Sequence, residues 1–220
     1  MKNNLSAASA ASPPRASSRI APFLLATAGG LAAIALATAL GTNALEQAKL
    51  AARWTARSSF FIFLIAYSAP AVARLIPAPL TRALLRRRRQ WGLAFALAHT
   101  IHLGALTRYM VLSGETRSVG AWILTVTGYV FIYALALTSN NVSQRVLGKW
   151  WKRLHRVGIH YIWLVFLLSY ASRILDPARM EIGLVFTPIV LGALGLRIAT
   201  RWPKSRPAPG ITSLKAPSKI

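Results

Sequence analysis

The chain has 220 residues, no cysteine, 55% hydrophobic residues, 27 Lys plus Arg and only four acids, for a formal charge of +23. Soluble domains are typically about a quarter charged, and this chain is 14% charged, so an ordinary globular protein is excluded. So are disulfides, thiol chemistry and thiolate ligands.

Residues 1–19, rich in Ala, Ser and Pro, read as a disordered cytoplasmic tail. Six apolar runs long enough to cross a bilayer follow: Ile20 to Leu40, Ser58 to Pro77, Trp91 to Leu112, Val119 to Thr138, Val157 to Leu175 and Ile182 to Ala199. The first, preceded by Arg15 and Arg19, has the flanks of a signal peptide. Its apolar run is longer than the roughly 7–15 residues of such a segment, so a retained span is expected. Between the second and third runs lies PAPLTRALLRRRRQ, an inner loop; SGETRS is a tight outer turn; SNNVSQRVLGKWWKRLHR is a polar, then aromatic and basic, inner connection. Trp150 and Trp151 in it fit an interfacial aromatic belt. Residues 201–220, with several prolines, read as a second, basic cytoplasmic tail. The expected fold is all-α: a polytopic integral membrane protein whose residues 20–200 form a six-transmembrane-helix bundle.

Charge fixes the expected orientation. With the N-terminus inside and the spans alternating, eighteen cations fall inside, Arg86 to Arg89 among them. Seven fall outside: Lys49, Arg53, Arg57, Arg108, Arg117, Arg173 and Arg179. All four acids, Glu46, Glu115, Asp176 and Glu181, also fall outside. This asymmetry accounts for the positive charge without a nucleic-acid partner. It predicts a multi-pass protein of the bacterial inner membrane with both termini cytoplasmic and its basic face against anionic lipid.

The four histidines, His99, His102, His155 and His160, avoid both tails and every outer loop. Ionisable residues within a membrane usually face the bundle interior and mark function. His99 and His102 are three apart and share a helix face. His155 and His160 are five apart and diverge by about 140°. The third and fifth spans run in the same direction, so inward histidines at matching depth can clamp a haem, one imidazole on each iron face. Gly92, Ala94, Ala96, Ala98, Gly104 and Ala105 leave room for the macrocycle. A four-histidine zinc site suits imidazole chemistry, but the five-residue spacing makes convergence awkward. Packing histidines that hydrogen-bond neighbouring helices are the plain alternative. A histidine proton relay for transport is another, weakened because no acid lies inside a span. A cofactor-free structural or lipid-binding role is the third.

LTSNNVSQRVLGKWWKRLH, Leu137 to His155, together with RRQWGL and a histidine ten residues after Gly92, resembles the ferric reductase-like transmembrane family. Within it, the chain is most similar to the haem-binding membrane subunits of bacterial periplasmic methionine sulfoxide reductase systems. The matching residues include Thr138, Ser139, Gln144, Arg145, Leu147, Gly148, Trp151, Leu154 and His155. The resemblance implies b-type haem held by the third and fifth spans, with His102 and His155 as iron ligands. It also implies electrons arriving from a cytoplasmic flavoprotein or quinone, with FMN as a candidate inner cofactor, and leaving for a periplasmic molybdenum-cofactor reductase. The family has a second histidine on the fifth span, and here that position is Leu168, so His99 and His160 are the additional candidates. Depth counted along the helices pairs His99 with His160; the motif pairs His102 with His155. Arg153 and Arg156, with Arg88 and Arg89, are candidate partners for haem propionates.

Overall fold

The structure, a computed structural model, describes residues 17–201. Most of the two predicted tails, residues 1–16 and 202–220, lies outside the described residues. The described residues form α1 (Ser17–Leu40), α2 (Ala44–Leu75), α3 (Pro79–Arg86), α4 (Arg88–Ser113), α5 (Val119–Leu137), α6 (Asn141–Ala171), a 3-10 turn (Ser172–Leu175) and α7 (Met180–Ala199), with no strand among them.

Several elements extend beyond the predicted apolar runs because caps, not hydropathy, start them. Asn43 accepts a hydrogen bond from the Glu46 amide, so α2 begins fourteen residues before Ser58 and carries Lys49, Arg53 and Arg57 on helix. Asn140 likewise accepts from the Ser143 amide at 2.7 Å, and the expected polar connection becomes the start of α6. That start is kinked at Gly148, whose φ of 48° and ψ of −114° suit a residue without Cβ. The arginine-rich loop is partly helical as well: Pro79 opens α3, and Thr81 donates to the Ile76 and Ala78 carbonyls.

Among the described residues, five helices are long and apolar enough to cross a membrane: α1, α2, α5, α6 and α7. The predicted third span, α4, is a continuous helix of 26 residues, about 39 Å at 1.5 Å per residue. Its apolarity falls short because Arg88, Arg89, Gln90, His99, Thr100, His102 and Arg108 interrupt it.

α4 packs mainly on α2, and α1 lies across both. α5 and α6 form a second pair, tied where the Trp151 indole donates to the Thr138 carbonyl at 2.8 Å. α7 closes the bundle against α6 and α2. The core is aromatic: Phe60 of α2 is fully buried among the rings of Phe166, Tyr170 and Phe186. Large apolar side chains such as Val130, Val111 and Ile123 face outward, as expected where the surroundings are lipid. The α4 and α6 backbones scarcely approach one another. The gap between them holds the chemistry.

Removing the Phe60 ring leaves a cavity that its three aromatic neighbours cannot fill. Phe60→Ala should therefore destabilise the protein by about 3–5 kcal/mol, whereas Val130→Ala, on the outward face, should stay within about 0.5 kcal/mol of wild type. Unfolding in detergent, followed by circular dichroism, reads both; equal midpoints would refute this core.

Candidate functional site

The α2–α4 contact is built around two hydroxyls and two imidazoles. On α2, Thr55 and Ser59 are four residues apart; on α4, His99 and His102 are three apart. Both spacings keep each pair on one face. The Thr55 hydroxyl lies 3.1 Å from His102 Nδ1, the Ser59 hydroxyl lies 3.0 Å from His99 Nδ1, and the imidazole centroids are 5.0 Å apart.

Each hydroxyl has one hydrogen, and each already donates it. Thr55 gives it to the Ala51 carbonyl at 2.7 Å and Ser59 to the Ala56 carbonyl at 2.9 Å. The hydroxyl oxygens must therefore accept from Nδ1–H of the two rings. This assigns the proton to Nδ1 and the lone pair to Nε2 in both His99 and His102, and neither Nε2 has a side-chain hydrogen-bond partner among the described residues. Both rings line a cavity of about 290 Å³ between α2, α4, α5 and α6. The buried Tyr129 hydroxyl, also without a partner, belongs to the same lining.

His155 lies elsewhere. Its ring stacks on Trp151 at 4.1 Å, and its Nε2 is 3.0 Å from the Thr138 hydroxyl. Thr138 spends its hydrogen on the Ala134 carbonyl, so His155 donates from Nε2 and keeps its lone pair on Nδ1. His155 lines a second cavity, about 520 Å³, with Gly92, Phe95, Arg88, Arg89 and Arg156. A Cβ built on Gly92 would meet nothing within 4 Å. Arg197 enters the same lining from α7, donating to the Tyr67 carbonyl at 2.9 Å with its guanidinium 4.3 Å over the Tyr67 ring.

The predicted site residues are thus divided. His99 and His102 share one cavity; His155 and Arg156 share the other; Ile132 and Ile162 line both and form the partition. His160 lines neither: its Nδ1 donates to the Arg156 carbonyl at 2.7 Å, and its edge faces Tyr67. Arg153 lies over the Trp150 ring and also lines neither. Accordingly the structure does not bring His102 together with His155, nor His99 with His160. No group of three or more His, Cys, Asp or Glu assembles among the described residues, so the four-histidine zinc arrangement does not form. Leu168 is 45% exposed and lines neither cavity.

Sequence reasoning did not single out Thr55, Ser59, Tyr129 or Arg197. The first two had a weak signal, two hydroxyls one helical turn apart just before the apolar run of α2, but Ser58 and the neighbouring cations obscure it. Tyr129 and Arg197 had none, because their roles depend on which helices meet.

Comparison with curated proteins finds the protein-methionine-sulfoxide reductase heme-binding subunit MsrQ of several bacteria. The chain is 33% identical to that of Cronobacter sakazakii over 140 residues, 56% of this chain and 68% of the relative. It is 32% identical to that of an Enterobacter species over 149 residues, 60% of this chain and 73% of the relative. With the Salmonella paratyphi B protein it shares 33% identity over 118 residues, 44% and 59% of the two chains. No family model matches, and neither does any solved structure.

The tautomer argument has a direct consequence. Thr55 is 1% exposed, so Thr55→Val leaves the His102 Nδ1–H without a partner and should cost about 1–3 kcal/mol. Thr55→Ser keeps the oxygen and should lose less. Unfolding midpoints of the two variants decide it; a valine variant as stable as the serine variant would show that the hydroxyl does not hold the ring.

Proposed function

Since this chain belongs to the family of MsrQ heme-binding subunits of protein-methionine-sulfoxide reductase, we propose that it is a six-span b-type haem protein of the bacterial inner membrane. It passes electrons from a cytoplasmic flavin or quinone donor to a periplasmic acceptor, a methionine sulfoxide reductase catalytic subunit. α4 serves as the sixth span, its two histidines turned to α2 and to a cavity rather than to lipid. The end bearing Arg86 to Arg89 is cytoplasmic, and the end bearing the four acids is periplasmic.

The observation that carries this reading is the unpartnered Nε2 lone pair on His99 and His102 beside a cavity. A metal-ligating histidine normally donates its other ring nitrogen to an oxygen that fixes tautomer and orientation. Ser59 and Thr55 supply those oxygens. His102 is the proposed ligand in this cavity, with His99 beside it. His155 is the proposed ligand in the larger cavity, where Trp151 and Thr138 orient its ring. The 520 Å³ there lies within the usual 300–1,000 Å³ of ligand pockets. Gly92 leaves its wall open, which suits a flat macrocycle.

Haem, when bound, supplies a one-electron carrier whose potential depends on its axial ligands and surroundings. The chain's own residues do the rest. Arg88, Arg89, Arg156 and Arg197 give the His155 cavity cations suited to carboxylates or to the phosphate of FMN. Ile132, Ile162, Phe95 and Phe166 keep the space between the cavities apolar and exclude water, with Phe95 and Phe166 centroids 6.2 Å apart.

The test is the reduced-minus-oxidised visible spectrum and the haem-to-protein ratio of the detergent-purified protein, with His102→Ala and His155→Ala alongside. Wild type should show b-type absorption, and each substitution should lower the ratio, because each removes a donor from a different cavity. Absence of haem absorption after expression with ample haem would refute the electron-transfer reading and leave the histidines as packing residues.

A further inference from the structure

Six of the seven cations assigned to the acid-bearing end, where membrane topology does not call for them, line one cavity: Lys49, Arg53, Arg57, Arg117, Arg173 and Arg179. It is the cavity of His99 and His102. The first three are four residues apart along one face of α2 and descend about 12 Å along the helix. Like charges at that spacing repel. Lys49, Arg53, Arg57 and Arg173 are also half-buried, which raises the cost of leaving them unpaired. Arg53, Arg57 and Arg179 all lie close enough to act on Arg173 electrostatically.

The chain's acids offset this group only in part. Asp176 pairs with Arg179 at 3.3 Å; Glu115, which lines the cavity itself, accepts from the Tyr109 hydroxyl at 2.7 Å; Glu46 accepts from the Thr42 amide and hydroxyl; and Glu181 is exposed outside the lining. Among the described residues the Asp176–Arg179 pair is the one salt bridge, so Lys49, Arg53, Arg57, Arg117 and Arg173 have no carboxylate within 4 Å. The group is also not a flat patch suited to a protein face. It is contributed by four segments, α2, the α4–α5 loop, the 3-10 turn and the loop before α7, around a concavity whose floor carries the two histidines.

We propose that this cavity is a binding site for a phosphate- or carboxylate-bearing anion, held between the Lys49–Arg53–Arg57 ladder and Arg117, Arg173 and Arg179. Guanidinium groups approaching from several sides match the oxygens of such a group in paired hydrogen bonds. The same charges draw anions toward the mouth. The cations and the histidine ring nitrogens are separate groups lining the same cavity, so removing the cations leaves the nitrogen donors in place. Two sources of the chemistry are open to it, a soluble anion and a lipid headgroup at the membrane surface.

Pyrophosphate serves as the probe, titrated calorimetrically into the full chain in nanodiscs of neutral phosphatidylcholine. Wild type should bind saturably. Arg53→Gln/Arg57→Gln together, and Arg173→Gln alone, should bind about tenfold more weakly or worse. Arg108→Gln, an exposed cation outside the cavity, should bind like wild type. Thermal unfolding without anion checks the fold, and the double variant should be no less stable than wild type because repulsion is relieved. Repeating the titration with phosphatidylglycerol present separates the sources: suppressed binding identifies the headgroup, and unchanged binding a soluble anion. Equal binding by all four proteins, or none by wild type in phosphatidylcholine, would overturn the proposal. Haem content of the same samples keeps the two proposals apart, since haem-free protein that binds pyrophosphate retains this site while losing the haem reading.

Discussion

A side chain inside a bilayer has no water to bond to, so its polar groups must be satisfied by the protein. The α2–α4 contact follows from that constraint. Thr55 and Ser59 first return their hydrogens to their own helix, which leaves only acceptor oxygens facing α4. His99 and His102 answer with Nδ1–H. The consequence reaches past the contact, because fixing one ring nitrogen as donor makes the other a free base. The same pairs that close α2 on α4 therefore prepare the face that α4 turns to α5 and α6. His155 obeys the same rule on the α5–α6 side through Thr138, with the opposite nitrogen engaged.

The helical course of the chain was legible wherever apolarity or caps wrote it locally. α1, α5 and α7 fall within a few residues of the predicted runs because each is apolar on nearly every side. α2 and α6 start earlier than hydropathy suggests, since Asn43 and Asn140 open helices whose first turns are polar. α4 marks the opposite case. It was singled out by its histidines, and those histidines, with the arginines at its ends, are what lower its apolarity below that of the other five. Polar side chains in the middle of a helix remove some of the signature by which a span is recognised.

For the candidate site, the shared face of His99 and His102 was legible and the arrangement of the four histidines was not. Spacing placed His99 and His102 on one face, and the structure puts both on one cavity. Matching His102 to His155, or His99 to His160, required the relative height and rotation of α4 and α6. Those are set by the kink at Gly148, the Trp151–Thr138 bond and the aromatic cluster around Phe166. None of these can be read from the spacing of the histidines alone. Thr138 and Trp151 stood among the residues carrying the family resemblance, and only the packed structure shows that both touch His155.

The α6 residues that line the His99–His102 cavity are Ile162, Val165, Phe166, Ser169 and Tyr170. None of these is a nitrogen donor, and Leu168 points elsewhere. The cavity therefore offers lone pairs from α4 alone, opposite a largely apolar and aromatic wall, beneath a mouth in which cations outnumber acids. The other cavity offers a donor from α6 alone, opposite an open wall at Gly92 on α4. Each half of the bundle thus supplies one side of a site. Since the α4 and α6 backbones scarcely touch, small movements of the α5–α6 pair relative to α2–α4 would alter how closely the two sides approach. The aromatic bridge of Phe95, His99 and Phe166 spans that gap, with His99 and Phe166 centroids 5.8 Å apart. Its rings hold the halves in register without filling the space on either side, so the cavities and the partition between them share one structural origin.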